Sequence, residues 1–484
     1  MFNVLRTLFA GASARAEEQL VDTFAIDLIE QKIREGYFTK LGVNTLWLSP
    51  ANRNAGGAWR DSLPPNRYFT GYHGYWPVAP RETEPRFGSM DDLKRLINTA
   101  HKSGIRVILD FVTNHTHMDH PYFQEHRDWF GTLDLPDGRK NIRLFDEHPF
   151  TTWFDTFLPS FDYPASPEAR AQTIADGLWW IEETQADGLR HDATKHIPLV
   201  FWKELCRELR ERIEIPRGIK LYQVGETISD RETIMRFVGP GLLTGQFDYP
   251  LAWKIRDAFA QNTAGLDDLM REAEESRRAY GSLAVMSPFV GSHDIPRFIS
   301  FCDGDLPDKE LDEKEVGWKK DLVVDNPESY DKMFLAMAFV MTQPGAPLMY
   351  YGDEIGMPGA GDPDNRRMMR FGKDLSAHET RLLDRTGAVA RLRAEHAVLR
   401  HGEMAPVFAG KETLAFLKAG FDEKIVCVFH RGGDSVRIRL AMPEGLGRVI
   451  RMTPLLKTGK AVPGDGAEVE MPARSVEFFQ LKTR

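Results

Sequence analysis

The sequence predicts an α/β chain built on a (β/α)8 barrel, with a small domain inserted after the third strand and a C-terminal antiparallel β-sandwich. Three observations predict it. Apolar runs of strand length alternate with amphipathic helical stretches from the N-terminus to about residue 395, the rhythm of βα units around buried parallel strands. Several of these runs end in an acidic residue with polar neighbours, as barrel strands do where their C-terminal ends converge on a site. Beyond about residue 395 the pattern becomes short alternating strands with Gly and Pro turns, as in KIVCVFH, SVRIRL and SVEFFQL, which suits an antiparallel sandwich.

Taken in order, the strand candidates are MFNVLRTLF at the N-terminus, NTLWLSP (44 to 50), RVILDF (106 to 111) and DGLRHD (187 to 192). KLYQVGE (220 to 226), GQFDYP (245 to 250), LAVMSPFV (283 to 290) and APLMYYG (346 to 352) complete a set of eight. Helices lie between them; SMDDLKRLINTAHKSG opens on Ser89 as a cap and closes at Gly104. Glu226 follows Asp192 by one βα step, and Asp294 follows Glu226 by two. The gap from Asp110 to Asp192 is too long for one step, so an excursion interrupts the barrel there. The expected divisions are a first barrel part over 1–115, an inserted domain over 116–175, rich in aromatics, His and Pro, a second barrel part over 176–395 and a sandwich over 396–484.

Composition narrows the function. With 484 residues, 42% hydrophobic and 27% charged, the chain can bury a large core and divide into two or three domains. A net charge of −9 gives no general attraction to nucleic acid or to an anionic membrane, so a polymeric ligand is expected to be neutral. Ten Trp among 11% aromatics suit sugar stacking as well as core packing. Cys206, Cys302 and Cys427 are far apart and odd in number, which argues for a reducing, cytoplasmic setting and against a disulfide framework. The start MFNVLRTLFAGASARA has a signal-peptide look, but Arg6 interrupts its apolar run and no basic segment precedes it. No stretch is long and apolar enough to span a bilayer.

The chemistry sits at four strand ends. RVILDFVTNH presents Asp110, then Asn114 and His115; DGLRHDATKH presents Arg190 and Asp192, which strand alternation places on one side; VGE presents Glu226; and FVGSHD presents His293 and Asp294. Each alone is a commonplace surface acid. Together, in this order, they resemble the ordered motifs of the α-amylase family of glycoside hydrolases, and the resemblance extends to LGVNTLWLSP, YHGYWP, LPSFDY and QPGAPLMYYGDEIGM, covering about residues 40 to 360.

That resemblance implies a retaining glycosidase with Asp192 as nucleophile, Glu226 as general acid/base and Asp294 as a third carboxylate that binds sugar hydroxyls. Arg190, His115 and His293 would line the reacting sugar's subsite, with Asp110, with Tyr75 as the platform beneath and His73 beside it. A retaining mechanism holds its two carboxyls about 5 to 5.5 Å apart. Arg190 is expected to keep Asp192 ionised, and neighbouring negative charge to raise the pKa of Glu226.

Lys195 and His196 match relatives acting on α-1,4 glucans, which points to starch-like maltooligosaccharides as the partner and to an α-amylase or maltodextrin hydrolase. GAGDPDNRRMMRF (359 to 371) resembles instead a loop of cyclomaltodextrinases and neopullulanases, and Ser292 replaces the more usual Asn. Transfer to a sugar, as in an α-glucanotransferase, shares the same covalent intermediate, so it stays open. The oligomeric state stays open too.

Other readings compete. HTHMDH (115 to 120) matches a dinuclear zinc pattern, but His115 already belongs to the strand-end motif. A binding protein that has lost catalysis would lack one of the carboxylates, and all three are present. No organic cofactor is implied. A structural calcium ion is implied through Asn114 and the backbone carbonyl of His196, completed by Asp155 or Asp162; the second calcium loop of some relatives has no counterpart in GASARAEEQ.

Overall fold

The computed structural model describes residues 2–4, 25–64, 66–463 and 467–484. It divides into two units, Met1–Thr39 with Asn44–Phe247 and Lys40–Val43 with Asp248–Arg484.

In the first unit six strands pair in parallel in chain order: β1 (Phe2–Val4), β2 (Thr45–Leu48), β3 (Arg106–Phe111), β4 (Gly188–His191), β5 (Tyr222–Gly225) and β6 (Gly245–Gln246). Of the N-terminal strand candidate, Phe2–Val4 are in the sheet and the remainder lies outside the described residues, as do the GASARAEEQ loop and most of the signal-like segment. The strands β2 to β5 are almost wholly buried, which explains why they read as continuous apolar runs. The register sets Asp110 opposite Arg190, and Arg190 opposite Val224. Side chains at matched positions share a face, so one face carries Trp47, Asp110 and Arg190, and the other carries Leu189, His191 and Gln223.

Local signals place the helices between these strands. Met90–Lys102 begins at Ser89, whose hydroxyl accepts from Asp92 N while Asp92 accepts from Ser89 N, a complete capping box. Pro167–Thr184 begins at Ser166, whose side chain accepts from Ala169 N, with Pro in the first turn. This helix starts inside the stretch 116–175 that the sequence sets apart. Between β3 and that helix the chain forms short helices over Pro121–Glu125 and Arg127–Trp129, and isolated bridges such as His115↔Ser160 and Phe130↔Phe161 tie its ends together.

The later strand candidates are shorter than the sequence suggests. GQFDYP yields only Gly245–Gln246 before Asp248 caps a helix over Tyr249–Ile255, where Pro250 is tolerated in the first turn. Among the described residues LAVMSPFV forms no ladder, only isolated bridge positions at Ser287 and Phe289, the latter in the parallel bridge Phe289↔Leu348. Ala346 N and Leu348 N donate to the carbonyls of Met286 and Pro288, and Pro288, lacking an N–H, cannot donate in return. Beyond Ala377–Glu395 a five-stranded antiparallel sheet runs in the order 403–409, 413–419, 424–430, 475–483, 449–454, with a smaller sheet of 436–439, 468–471 and 460–461. Val407, Leu417, Val426, Val428, Ile438, Val469, Met471 and Phe479 fill the space between the two sheets. On its other face the large sheet meets Phe339 of the helix Glu328–Val340 through Phe416 and Phe429. Burial on both faces is why Thr413–Ala419 and Lys424–His430 lack clean alternation.

Strand β4 depends on Gly188, where an added Cβ would lie 2.0 Å from the carbonyl oxygen of Tyr222. Gly188→Ala is expected to destabilise the chain by about 3 kcal/mol, the upper range of overpacking, read as a lower denaturant midpoint in a circular-dichroism titration.

Candidate active site

Arg190 organises the site. It is fully buried on β4, and its Nη1 donates to Asp110 Oδ1 at 2.9 Å, Asp110 Oδ2 at 3.0 Å, Asp192 Oδ1 at 2.9 Å and Tyr75 Oη at 3.2 Å. Its Nη2 donates to Glu226 Oε2. The guanidinium lies over the ring of Trp47 at 4.9 Å, with Tyr75 at 5.7 Å and Phe247 at 6.0 Å. A cation this deep survives only with compensating charge. Although burial opposes the charged form, Asp110, Glu226, Tyr75 and Asp192 together push the Arg190 pKa well above its ordinary value.

The carboxylates are held in turn. Asp110 accepts from Tyr75 Oη at 2.7 Å and from Trp47 Nε1 at 3.2 Å. Glu226 is fixed through its backbone, its N–H reaching the Thr194 hydroxyl at 3.0 Å and its carbonyl accepting from Thr194 N at 3.0 Å. Between Asp192 and Thr194 the chain passes through Ala193 at φ 50°, a left-handed conformation that a non-glycine residue adopts at a cost and that clusters at functional sites. The contact between Arg190 and Glu226 is an addition: the sequence places only negative charge beside that residue.

The remaining sequence-predicted residues of this unit surround the network. His73 Nδ1 accepts from Tyr75 N at 3.0 Å, and His115 Nε2 pairs with the Tyr75 carbonyl at 2.8 Å, so two imidazoles brace the Tyr75 backbone. His115 stacks on Trp153 at 4.8 Å, and Trp153 contacts His196 at 5.3 Å. Lys195 donates to the Ile228 carbonyl at 2.9 Å, and His196 Nδ1 pairs with the Pro149 carbonyl at 3.2 Å.

His293 and Asp294 belong to the second unit. There His293 Nε2 lies 2.9 Å from Asp294 Oδ2, and Arg366 Nη2 lies 3.6 Å from Asp294 Oδ1. Asn365 Nδ2 donates to the carbonyls of His293 and Ile295 at 2.8 and 3.0 Å. Trp47, Thr194, Asn365 and Arg366 were not among the expected site residues. Trp47 and Thr194 stand in motifs already singled out, NTLWLSP and HDATKH, and Asn365 and Arg366 stand in the 359–371 loop; their roles depend on contacts that no motif spells out.

In HTHMDH the ring nitrogens serve backbone: His117 Nδ1 accepts from Asp119 N at 3.2 Å, and His120 Nδ1 caps the following helix through Tyr122 N at 3.1 Å. Among the described residues no group of three or more His, Cys, Asp or Glu is placed to hold a metal ion. An oxygen cage of the calcium type draws on amide and carbonyl oxygens as well. Asn114 is buried and would enter that set through its Oδ1, since its Nδ2 is a donor and cannot ligate a cation. Asp155 is engaged by Ser62 N at 2.7 Å and Ser62 Oγ at 2.8 Å. Asp162 follows Phe161, whose N–H donates to the Asn114 carbonyl at 3.1 Å.

Comparison with known proteins gives the family and the fold. The alpha-amylase catalytic-domain family matches residues 27–386, and the chain belongs to that family. It is 28% identical to a maltogenic alpha-amylase of Bacillus acidopullulyticus over 76% of this chain and 59% of that protein, and 27% identical to a cyclomaltodextrinase of Geobacillus thermopakistaniensis over 83% and 61%. The chain thus spans about 60% of the length of these curated relatives. Among solved structures, the alpha-amylase of Geobacillus thermoleovorans complexed with acarbose is similar with a TM-score of 0.79 and 25% identity, covering 100% of this chain and 98% of that one. The fold class is therefore the (β/α)8 barrel with a C-terminal antiparallel β domain. Among the described residues no helix is long and apolar enough to cross a membrane.

Arg190→Met leaves three buried carboxylates without their cation, and chemical denaturation should show a loss of about 3 to 5 kcal/mol. Burial also holds His115, His191 and His196 at about 4 and His120 at about 3. Unfolding returns each to an ordinary value of about 6.5. The neutral imidazoles therefore contribute fully above about pH 6.5, and stability is lost as pH falls toward about 4, because the unfolded chain binds more protons. A melting-temperature series should be flat on the neutral side and fall below about pH 6.5. His120→Asn, which keeps a capping side chain, should make that fall shallower.

Proposed function

We propose that this chain is a retaining glycoside hydrolase that cleaves α-1,4-glucosidic bonds in starch-derived maltooligosaccharides, as an α-amylase or maltodextrin hydrolase. The observation that carries the proposal is the pairing of Asp192 and Glu226 with the two Nη atoms of one buried guanidinium. One fork holding both carboxyls favours the short separation, about 5 to 5.5 Å, of a retaining mechanism.

In this reading Asp192 attacks the anomeric carbon while Glu226 gives its proton to the departing glycosidic oxygen. Water, activated by Glu226 as base, then releases the sugar from Asp192 and returns the proton. Arg190 keeps Asp192 anionic and within reach, and Asp110 with Tyr75 holds Arg190 and the ring beneath the sugar. His115, His293 and Asp294 bind hydroxyls of the reacting sugar, and Lys195 and His196 meet the leaving chain. The excursion over 116–175 acts as an inserted domain on the barrel, and 396–484 as the sandwich domain.

Calcium is part of the proposal as a structural ion, held by Asn114, Asp162 and the His196 carbonyl and taking no part in the chemistry. The relatives' names support a second reading, a cyclomaltodextrinase-like or glucan-transferring enzyme, and Arg366 of the 359–371 loop, 3.6 Å from Asp294, favours it specifically. With all the carboxylates present, a non-catalytic binding protein is the poorer account. The absence of any disulfide among Cys206, Cys302 and Cys427 supports a cytoplasmic setting.

Asp192→Asn should reduce turnover of maltoheptaose by roughly a thousandfold or more with an unchanged circular-dichroism spectrum; near-native turnover would remove the nucleophile assignment. Chromatography of products from maltoheptaose, cyclodextrin, pullulan and soluble starch separates the two readings, since sugars longer than the substrate mark transfer. Excess chelator should lower the melting temperature of the wild-type chain and leave that of Asn114→Ala unmoved.

A further inference from the structure

Of the ten tryptophans, nine are buried or partly buried, while Trp318 is 61% exposed. A single exposed aliphatic residue needs no explanation, but a large indole left in water forgoes the burial that makes Trp favourable in a fold. Its setting is not a loose loop. Trp318 lies on the helix Glu313–Lys319, which is capped by Asp312 and anchored inward by the fully buried Val316.

That helix leans on the turn Asp364–Arg366. An added Cβ on Gly317 would come within 2.6 Å of Asp364 Cβ, and Gly361 N donates to the Glu313 carbonyl at 2.8 Å. Arg367 ties down the chain that follows, donating to the Leu322 carbonyl at 2.7 Å and to Asp364 Oδ1 at 2.8 Å. The same turn reaches the site: Arg366 lies against Asp294, and Asn365 donates to the His293 carbonyl. Through the Asp364–Arg366 turn, the helix that carries Trp318 is linked to Asp294 and to the His293 carbonyl. A platform carried on a capped helix limits the backbone ordering that binding would cost.

We propose that Trp318 is a stacking platform for a glucosyl residue of the α-glucan chain outside the reaction centre, making this enzyme favour longer chains. The inference rests on the reading of the chain as an α-glucan enzyme. A pyranose ring offers an apolar face of C–H groups that suits an indole, and a neutral sugar polymer needs no charged partner there.

Two measurements test it. Trp318→Ala should lower kcat/KM on maltoheptaose by roughly fivefold to tenfold, the loss of one aromatic contact, through KM and with maltotriose turnover unchanged; Trp318→Phe should recover most of the loss. In the Asp192→Asn background, calorimetry should show maltoheptaose binding weakened by the same factor when Trp318→Ala is added. Equal binding with and without Trp318 overturns the inference alone, as does a change only in sedimentation from dimer to monomer, which would make the indole a contact between copies. Failure of Asp192→Asn itself to bind maltoheptaose overturns the α-glucan reading, and the inference with it.

Discussion

The first unit is arranged around one buried cation. Arg190 has no access to water, and its charge is compatible with the interior only because Asp110, Asp192 and Glu226 converge on it. Each of these acids is buried as well, so none can be removed without leaving charge unpaired in a low-dielectric setting. Parallel pairing supplies the convergence: β3 delivers Asp110 beside Arg190 in register, and Asp192 and Glu226 directly follow the ends of β4 and β5. An isolated ion pair of this kind contributes little net stability, whereas a network that fixes several side chains specifies one geometry.

Around that network the same economy recurs with neutral groups. Side chains are recruited to hold backbone, as Thr194 does for Glu226 and as His73 and His115 do for Tyr75. Burial keeps His115 neutral, which lets its ring serve as a fixed hydrogen-bonding group. Such groups are preorganised, so charge that develops beside them can be stabilised without rearrangement. The second unit follows a comparable plan on a smaller scale, with Arg297 fully buried against Tyr350 and Tyr351 and bonded to the Tyr351 carbonyl and Asp353.

Some features were legible because they are local. The capping box at Ser89, the helix stop at Gly104 and the buried runs of β2 to β5 each depend on a few neighbouring residues. Other features were misjudged because a local signal met a competing one. GQFDYP has strand composition, yet Asp248 and Pro250 form a helix start within it; LAVMSPFV has the apolar run, yet Pro288 cannot complete a ladder. The HTHMDH pattern, set aside in the sequence because His115 belongs to a strand-end motif, was judged correctly: His117 and His120 are spent on the backbone of their own turns.

By itself the sequence determined the order of strands and helices, the change of architecture after about residue 395, and which strand ends carry acids, because periodicity and residue type are properties of the chain. It also placed Arg190 and Asp192 on one side of a strand, since alternation follows from the pleat. Only the tertiary structure decided that Arg190 touches Glu226 as well as Asp192, that Trp47 and Thr194 complete the site, that Arg366 meets Asp294, and that one tryptophan of ten stays in water. These are contacts between residues far apart in the chain, set by register and packing, and neither is written in any single segment.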